Sequence, residues 1–544
     1  MPKNFFNLAL FLLCVSVNFA QKNMGDYAGE WIGTTHTTSA FDFTLTITKN
    51  DERLATFSLS NDQDILSKTI PFNPETLSIE LTEKMGFSGK VNADDKSISG
   101  FMRLNQDLYP VQLKKNGNRY QGSWKLSVLH HLQPQTIRLT IQKVNADEEE
   151  YAAYPMFGTF WCMDFKKKQE AISFYDYKTG LDFSGILKPS TIELKASFGN
   201  YPITTISFKR WEAQKERKIA DNHSLNDGWK TASKPLSFSQ LENDVAQGVL
   251  EGTEGIIIAK EGEIVYETYF AGYHSETPHD MRSAGKSIGS AIIGLAVDDG
   301  IIENTDMKLY DHLPQAFQYT KDEEKSKITL QQLLTMSSGI GVGEGQYQDS
   351  DNWLKTVLES PLKQSPGTRT NYKSADPFLT GVYLNERLQI PLELYIQENL
   401  FTPLGINNYI LNTDDEGIPY FGGGLYLTLR DMLKFGQVYL NKGTWNGKRI
   451  LSEAWVNASF KKHTQLENVT DKNAYGYFWW HQTYEVNGKS VASVEARGNG
   501  GQYIFVLPEL EIVVAITSGN YRKGQLLRQP EKILESYILP KLME

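Results

Sequence analysis

The sequence predicts a multidomain protein: an N-terminal all-β region of hairpins, barrel-like in character, followed by an α+β domain with an antiparallel sheet flanked by helices. Three observations carry this prediction. Short segments that alternate polar and apolar residues fill residues 24–210. A polar, charged stretch follows at 211–235. Beyond it, strand-like hairpins and helical stretches are mixed, and a chain of 544 residues has room for three or more domains.

Composition favours a globular protein that does not bind nucleic acid. Hydrophobic residues make up 40% of the chain and charged residues 22%, which is typical of proteins with large cores. The net charge is -10 at pH 7, and no run of basic residues offsets it. We therefore expect no nucleic-acid partner.

The segment 1–20 is typical of a secretory signal peptide. A single lysine precedes an apolar run at 5–17, and Asn18-Phe-Ala20 precedes the predicted cleavage point. The run is too short for a comfortable membrane span. We expect a secreted or periplasmic protein with no stable membrane span. After cleavage the single cysteine, Cys162, excludes an internal disulfide.

The alternating segments predict two β-rich modules, at 24–145 and at 150–210, which an acidic stretch separates. Phe87-Ser-Gly89 and Phe183-Ser-Gly185 are each followed by more strand-like sequence, which points to a repeat of one module. The polar stretch 211–235 is the predicted linker.

The last predicted domain covers 236–544. Two pairs of apolar segments predict hairpins. The pairs are Ile256–Lys260 with Ile264–Thr268, and Tyr503–Leu507 with Ile512–Ile516. A helix is predicted at Gln529–Leu542. Because the linker has the character of a domain boundary, we expect the segment from about 226 onward to fold and act alone.

The stretch from Ser283 to Gly300 predicts a buried helix with a reactive serine at its first turn. It is apolar almost all round, and Gly300 suits the left-handed position that ends a helix. Ser283 and Lys286 are three residues apart and therefore lie on one side of the helix. A serine becomes a nucleophile when a neighbouring base takes its proton. Burial and the helix dipole both favour the neutral amine that such a base needs.

Other motifs compete with this interpretation. Ser-x-x-Lys also occurs at Ser360 and Ser459, but neither serine opens a long apolar helix. Gly285-Lys-Ser-Ile-Gly289 fits the nucleophile elbow, which would make Ser287 the nucleophile, but an elbow needs a buried strand before it, and the polar stretch 274–280 is not expected to form one. The same residues resemble a phosphate loop that lacks its first glycine.

Five motifs in order carry a family resemblance. They are Ser283-Ala-Gly-Lys286, Leu333-Leu-Thr-Met-Ser-Ser-Gly339, Pro366-Gly-Thr-Arg-Thr-Asn-Tyr372-Lys-Ser374, Gly422-Gly-Gly-Leu-Tyr-Leu-Thr-Leu-Arg-Asp431 and Tyr475-Gly-Tyr-Phe-Trp-Trp480. Together they resemble the serine β-lactamase and penicillin-binding-protein superfamily, in particular its class C-like hydrolases. That group includes esterases, D-aminopeptidases and aminohexanoate-oligomer hydrolases. The resemblance covers roughly 226 to 544 and none of the β-rich region.

The resemblance implies a β-lactamase-like domain and a role for individual residues. It implies Ser283 as the nucleophile and Lys286 as its base. It implies that Tyr372 passes a proton to the leaving group and that Ser374 binds substrate. A tyrosine can do this only when a cation stabilises its phenolate, and Lys286 could be that cation.

The third family motif departs from the pattern. Alignment on Gly498 places Ala496 where the family has Lys or His, with Arg497 beside it as a candidate substrate-binding residue. Gly498 would keep the strand open to substrate, and the backbone N–H groups of Ser283 and Asn499 would form the oxyanion hole. Without the basic residue a substrate carboxylate is poorly recognised. Esterase or amidase activity is therefore expected ahead of true β-lactamase activity.

The leading hypothesis is a secreted serine hydrolase that acts through an acyl-enzyme on a small-molecule or peptide ester or amide and uses no cofactor. The alternatives are a catalytically idle binding or sensing protein, and a D-amino-acid peptidase or β-lactamase. No metal site is predicted, since the nine histidines are scattered and are interpreted as ordinary surface residues.

Overall fold

The computed structural model describes residues 24–36, 39–75, 77–127, 129, 131–133, 136–143, 151–154, 162–176, 179–211, 226–521 and 523–544. The predicted signal peptide, the acidic stretch at 147–150 and most of the predicted linker lie outside the described residues. The fold confirms an N-terminal all-β region followed by an α+β domain.

A sheet of nine described strands joins the two ends of the β-rich region. The strands are Gly29–Thr34, His131–Gln133, Thr136–Lys143, Tyr151–Tyr154, Cys162–Lys168, Ala171–Asp176, Leu181–Leu187, Thr191–Phe198 and Tyr201–Arg210. Gly29–Thr34 pairs antiparallel with Thr136–Lys143 on one side and with Tyr201–Arg210 on the other. Strands from both predicted modules thus share one sheet. The boundary near 145–150 stays a prediction.

The two Phe-Ser-Gly triplets occupy the same place in two strands. Each triplet fills the third to fifth positions of a seven-residue strand, Met85–Val91 and Leu181–Leu187. A repeat requires this equivalence, and the repeat itself stays a prediction.

A second sheet, of eleven described strands, crosses from the β-rich region into the α+β domain. Its strands are Asp42–Lys49, Leu54–Ser60, Asp64–Pro71, Leu77–Thr82, Met85–Val91, Ile98–Leu104, Asp107–Asn116, Arg119–Lys125, Pro278–Asp280, Tyr409–Asn412 and Leu425–Thr428. The crossing lies between Asp107–Asn116 and Tyr409–Asn412, which pair antiparallel. Main-chain pairing therefore continues between the two parts of the chain.

The α+β domain is built on a third sheet of nine described strands. In sheet order they are Lys230–Thr231, Glu263–Tyr269, Thr253–Lys260, Ile512–Ser518, Gln502–Leu507, Lys489–Gly498, Trp480–Val486, Ala474–Tyr475 and Thr464–Gln465. Every neighbouring pair is antiparallel except the first, which is parallel. Both predicted hairpins are confirmed. A small separate hairpin joins Thr444–Trp445 to Lys448–Arg449.

Helices cover both faces of the third sheet. The α-helices are Ser239–Ala246, Gly285–Asp298, Leu330–Leu334, Glu344–Gln348, Trp353–Glu359, Ala375–Asn385, Leu392–Ile396, Thr402–Leu404, Leu429–Leu440, Glu453–Phe460, Gln529–Ile533 and Leu539–Leu542, with π-helical turns at Gln397–Phe401 and Leu534–Ile538. Along one strand, Ile504 joins the core that holds Gly285–Asp298, whereas Phe505 joins the core under the C-terminal helix. Among the described helices, none is long and apolar enough to cross a membrane.

The helix Gly285–Asp298, here called the serine helix, confirms the predicted buried element. Its residues are buried from Gly285 to Ala296, and Gly300 follows it with φ +72°. A 3₁₀ turn, Arg282–Ala284, precedes it and carries Ser283. The serine therefore sits one turn before the helix proper.

Candidate active site

Ser283 and Lys286 are in direct contact. The side chain of Lys286 is buried, with the residue 1% exposed, and its Nζ donates a hydrogen bond of 2.6 Å to Oγ of Ser283. The same Nζ donates to the backbone carbonyl of Gly422. Ser283 is only partly buried. A fixed amine therefore lies beside a hydroxyl that solvent and substrate can reach.

Two glycines bring backbone against the serine turn. Gly423 belongs to the loop 413–424, here called the glycine loop, and has φ +147°. A Cβ at Gly423 would lie 2.9 Å from the carbonyl oxygen of Arg282, and a Cβ at Gly498 would overlap the carbonyl oxygen of Met281. Any larger residue at either position would push the serine turn away.

The end of the strand Lys489–Gly498 thus lies where the oxyanion-hole prediction needs it. Gly498 is also close to the turn on its C-terminal side, since a Cβ there would lie 3.2 Å from the backbone nitrogen of Ala284. Asn499 follows in an exposed turn. The roles of the Ser283 and Asn499 N–H groups and of Gly498 stay predictions.

Tyr372 is clamped beside the lysine. Its backbone N–H donates to Oδ1 of Asn468 (2.7 Å), and Nδ2 of Asn468 donates back to the Tyr372 carbonyl (3.0 Å). The ring centroid lies 5.2 Å from Nζ of Lys286 and 5.0 Å from the ring of Trp480. The structure therefore brings together the three residues for which the family resemblance implies catalysis.

A buried polar cluster supports the chain at Tyr372. Ser338 donates its hydroxyl to Oδ1 of Asp376 (2.5 Å), and Nζ of Lys373 donates to the Ser338 hydroxyl (3.1 Å). Burial raises the pKa of Asp376, although Lys373 and Ser338 oppose the rise. Ser374 is buried at the start of the helix Ala375–Asn385, and its role in substrate binding stays a prediction.

Arg497 is held by two carboxylates. Its Nε donates to Glu495 (2.7 Å), and its guanidinium lies 3.3 Å from Glu531 of the C-terminal helix. Neighbouring Ala496 is fully buried in the core on the serine-helix side of the sheet. The Arg497 guanidinium lies over the ring of Trp480 at 5.0 Å, and Trp480 in turn lies beside Tyr372. Substrate binding by Arg497 stays a prediction, and these ion pairs weigh against it.

Ser287 does not face the site. It is 1% exposed, and its hydroxyl donates to the carbonyl of Phe478 at 2.7 Å. The expectation that no strand precedes the serine stretch was wrong, because Pro278–Asp280 forms a short buried strand that pairs with Leu425–Thr428. The polar sequence did not predict this strand, because the strand depends on pairing at three positions with a segment far along the chain.

The histidines are not all surface residues. His279 is 4% exposed, its Nδ1 lies 3.1 Å from Glu254, and its ring stacks on Tyr273. The surface interpretation was wrong for His279, because a buried carboxylate satisfies its ring nitrogen. His130 lies outside the described residues. Within the described part of the chain, no group of three or more His, Cys, Asp or Glu residues could hold a metal ion.

Comparison with known proteins decides the family. A family model described as Beta-lactamase matches residues 241–535, which is more than half of the chain. The chain belongs to the beta-lactamase family. The resemblance seen in the five motifs is thereby confirmed, and the chain has the fold of a family of serine hydrolases.

Individual relatives of this beta-lactamase-family chain are distant. The 6-aminohexanoate-dimer hydrolase of Paenarthrobacter ureafaciens is 22% identical over 298 residues, which are 48% of this chain and 71% of that protein. Beta-lactamase-like protein 4 of Dictyostelium discoideum is 28% identical over 29% of this chain and 35% of its own length. The solved structure of a putative beta-lactamase from Bacteroides dorei is 21% identical, covers 57% of this chain and 99% of that chain, and has a TM-score of 0.48.

Sequence reasoning missed the residues that hold the site together. Asn468 is 96 residues from Tyr372 and stands in no motif. Gly422 and Gly423 were noted only as part of a family landmark, without their contacts to Lys286 and the serine turn. The run of three glycines was the available signal, because such a run marks a place where backbone approaches other atoms closely.

Proposed function

We propose that this protein is a secreted serine hydrolase that cleaves an ester or amide through an acyl-enzyme on Ser283. The observation that carries the proposal is the 2.6 Å contact between the buried amine of Lys286 and the Ser283 hydroxyl. An idle binding protein has no need of a buried amine on a partly buried serine. The apolar segment at 5–17 supports export.

The chemistry follows from the order of the groups. Oγ of Ser283 attacks the acyl carbon while its proton passes to Nζ of Lys286. The backbone N–H groups of Ser283 and Asn499 stabilise the oxyanion. Tyr372 gives a proton to the departing alcohol or amine and recovers one from the lysine. Water then attacks the acyl-enzyme and gives a proton to the neutral Nζ of Lys286. The lysine returns that proton to Oγ of Ser283 as the acyl–oxygen bond breaks, which releases the acid and restores the serine hydroxyl.

The site favours neutral acyl groups. Ala496 offers no positive charge to a substrate carboxylate, and Arg497 is already paired with Glu495 and Glu531. A charge-assisted hydrogen bond of that kind contributes roughly 1.5–3 kcal/mol, which a penicillin-type substrate would forgo here. We therefore place ester or amide hydrolysis ahead of β-lactamase or D-amino-acid peptidase activity.

Covalent labelling tests the nucleophile. A fluorophosphonate probe should phosphonylate wild type with loss of fluoride, and peptide mapping should recover the label on Ser283. The Ser283→Ala variant should not react, whereas Ser287→Ala, the matched control on the next turn, should react like wild type. Label on Ser287 would restore the elbow interpretation.

Paired substrates test the specificity. A p-nitrophenyl ester of a short acid should show a higher kcat/KM than a chromogenic cephalosporin. Cephalosporin turnover that exceeds ester turnover and disappears in Arg497→Ala would identify a β-lactamase instead.

A further inference from the structure

Backbone hydrogen bonds connect the β-rich region to the serine turn. Leu108 of the N-terminal region lies opposite Leu411, and Leu411 lies opposite Leu425. The carbonyl of Leu425 then accepts the N–H of Met281 at 2.9 Å, two residues before Ser283. Three adjacent strands therefore link the N-terminal region to the nucleophile.

Asn412 closes the glycine loop at its base. Its N–H donates to the Gly424 carbonyl (2.7 Å), and its carbonyl accepts the N–H of Tyr420 (2.9 Å). Gly422 lies between Tyr420 and Gly424, and its carbonyl accepts a hydrogen bond from Nζ of Lys286. The position of Asn412 therefore sets where the loop presents that carbonyl.

The N-terminal region holds the start of the glycine loop through one side-chain and one main-chain hydrogen bond. Nδ2 of Asn412 donates to Oδ1 of Asp107, a residue that is 1% exposed. The next residue, Thr413, donates its N–H to the carbonyl of Gln106 at 2.7 Å. Charge-assisted hydrogen bonds in buried surroundings are short and directional, so they fix geometry well.

Apolar packing makes the junction between the N-terminal region and the α+β domain rigid. Phe101 and Leu108 of the N-terminal region belong to the core of the α+β domain, and Ile410 and Tyr426 belong to the core of the N-terminal region. Each core thus receives buried side chains from the other part of the chain. A junction of this kind transmits displacement, because close-packed interiors deform little.

We propose that the N-terminal β-rich region is a working part of the active site, with Asp107 as a positioning residue that acts through Asn412 and the glycine loop on Lys286. The inference rests on the proposed function, since it takes Lys286 to be the base. It assigns the region outside the family match a task in catalysis, namely to hold the acceptor that aims the lysine amine.

The test uses the full chain and exchanges the side chains of the Asp107–Asn412 pair. Asn412→Asp sets two carboxylates against each other at the junction. A misplacement of about 1 Å at a catalytic group costs about 10²-fold, so the maximal rate of Ser283 phosphonylation by a fluorophosphonate should fall by about 10- to 100-fold. The probe concentration that gives half-maximal rate should change little. Adding Asp107→Asn restores a donor and an acceptor with their roles reversed, and should return the rate to within about threefold of wild type.

A matched control breaks another contact between the same two parts of the chain. Lys90 pairs with Glu398 at 2.5 Å, in a contact that includes neither Asp107 nor Asn412. Glu398→Gln should leave the labelling rate unchanged. Thermal unfolding of every variant separates positioning from loss of fold. If Asn412→Asp does not fold, Asn412→Ala takes its place, with a smaller decrease expected.

The outcomes are distinguishable. Wild-type labelling rates in the Asn412 variants overturn the inference, and so does a slow Asn412→Asp that Asp107→Asn does not rescue. An equal loss in Glu398→Gln would also overturn it, because the junction would then act only on stability. Wild type that acquires no label on Ser283 overturns the proposed function itself.

Discussion

Lys286 is the residue on which the proposed chemistry depends. Lys286→Met should lower kcat for an ester by about 10²–10⁴, the usual cost of losing a general base. Lys286→Arg should not recover the activity, because a guanidinium stays charged in proteins and cannot accept the serine proton. Steady-state hydrolysis of a p-nitrophenyl ester checks both. Near wild-type turnover in Lys286→Arg would exclude the lysine as base.

Asn468 acts at the same scale, but through the backbone. Asn468→Ala removes both hydrogen bonds that clamp Tyr372. Each such bond contributes about 0.5–1.5 kcal/mol to stability, so the free energy of unfolding should fall only modestly. The main effect should be that Tyr372 loses its alignment. We expect kcat to fall on the order of tenfold while KM changes little, since positioning errors act on the reacting geometry.

A nearby exposed amide provides the control for Asn468. Gln465 donates to the carbonyl of Lys472 at 2.7 Å and takes part in neither hydrogen bond that clamps Tyr372. Gln465→Ala should keep wild-type kcat. If Asn468→Ala raises KM and leaves kcat intact, the clamp serves substrate binding rather than proton transfer.

The glycine loop carries a titrating group at the scale of the element. Burial raises the pKa of Asp414 to about 7, and its carboxyl accepts the N–H groups of Glu416 (3.0 Å) and Ile418 (2.8 Å). The folded pKa lies above the unfolded one, so the folded state binds the proton more tightly. The stability from this group is therefore full below about pH 4 and is lost as the pH rises through 7.

The variant Asp414→Asn should remove that loss and keep the acceptor oxygen. Its free energy of unfolding should exceed that of wild type by a margin that grows from pH 5 to pH 7, by at most about 1.4 kcal/mol per pH unit. Urea unfolding at several pH values measures the margin. The exposed Asp351→Asn serves as control, and a margin independent of pH would refute the assignment to Asp414.

At the scale of the whole molecule, the junction changes what a truncation should do. The polar linker led us to expect that the segment from about 226 folds and acts alone. Because the junction joins the two parts of the chain, the isolated segment should instead be less stable and less active. Removing the N-terminal region takes Phe101 and Leu108 out of the α+β core, and each large apolar side chain lost from a core costs about 2–5 kcal/mol. It also leaves Tyr409–Asn412 as an unpaired edge, which favours aggregation.

Expression of residues 226–544 checks this expectation. The fragment should show a lower thermal midpoint than the full chain and slow labelling at Ser283. A soluble fragment that labels at the wild-type rate would show that the domain boundary predicted from the linker is a functional one, and that the β-rich region is dispensable for catalysis.

Local sequence determined the elements and the chemical pair. The serine helix, both hairpins and the contact of Lys286 with Ser283 follow from periodicity and from the spacing of three residues, because each involves near neighbours in the chain. Side-chain alternation along a strand also accounts for Arg497, which pairs with Glu495 and Glu531 while its neighbour Ala496 is buried on the serine-helix side.

Only the tertiary structure decided how these parts are held. The Asp107–Asn412 contact joins residues 305 apart, and the Asn468 clamp reaches Tyr372 across 96 residues. Pairing between distant strands depends on register, and it leaves no periodic mark on either strand that names the partner. The sequence by itself therefore determined the fold class and the serine–lysine pair, whereas long-range packing decided that the β-rich region reaches the glycine loop.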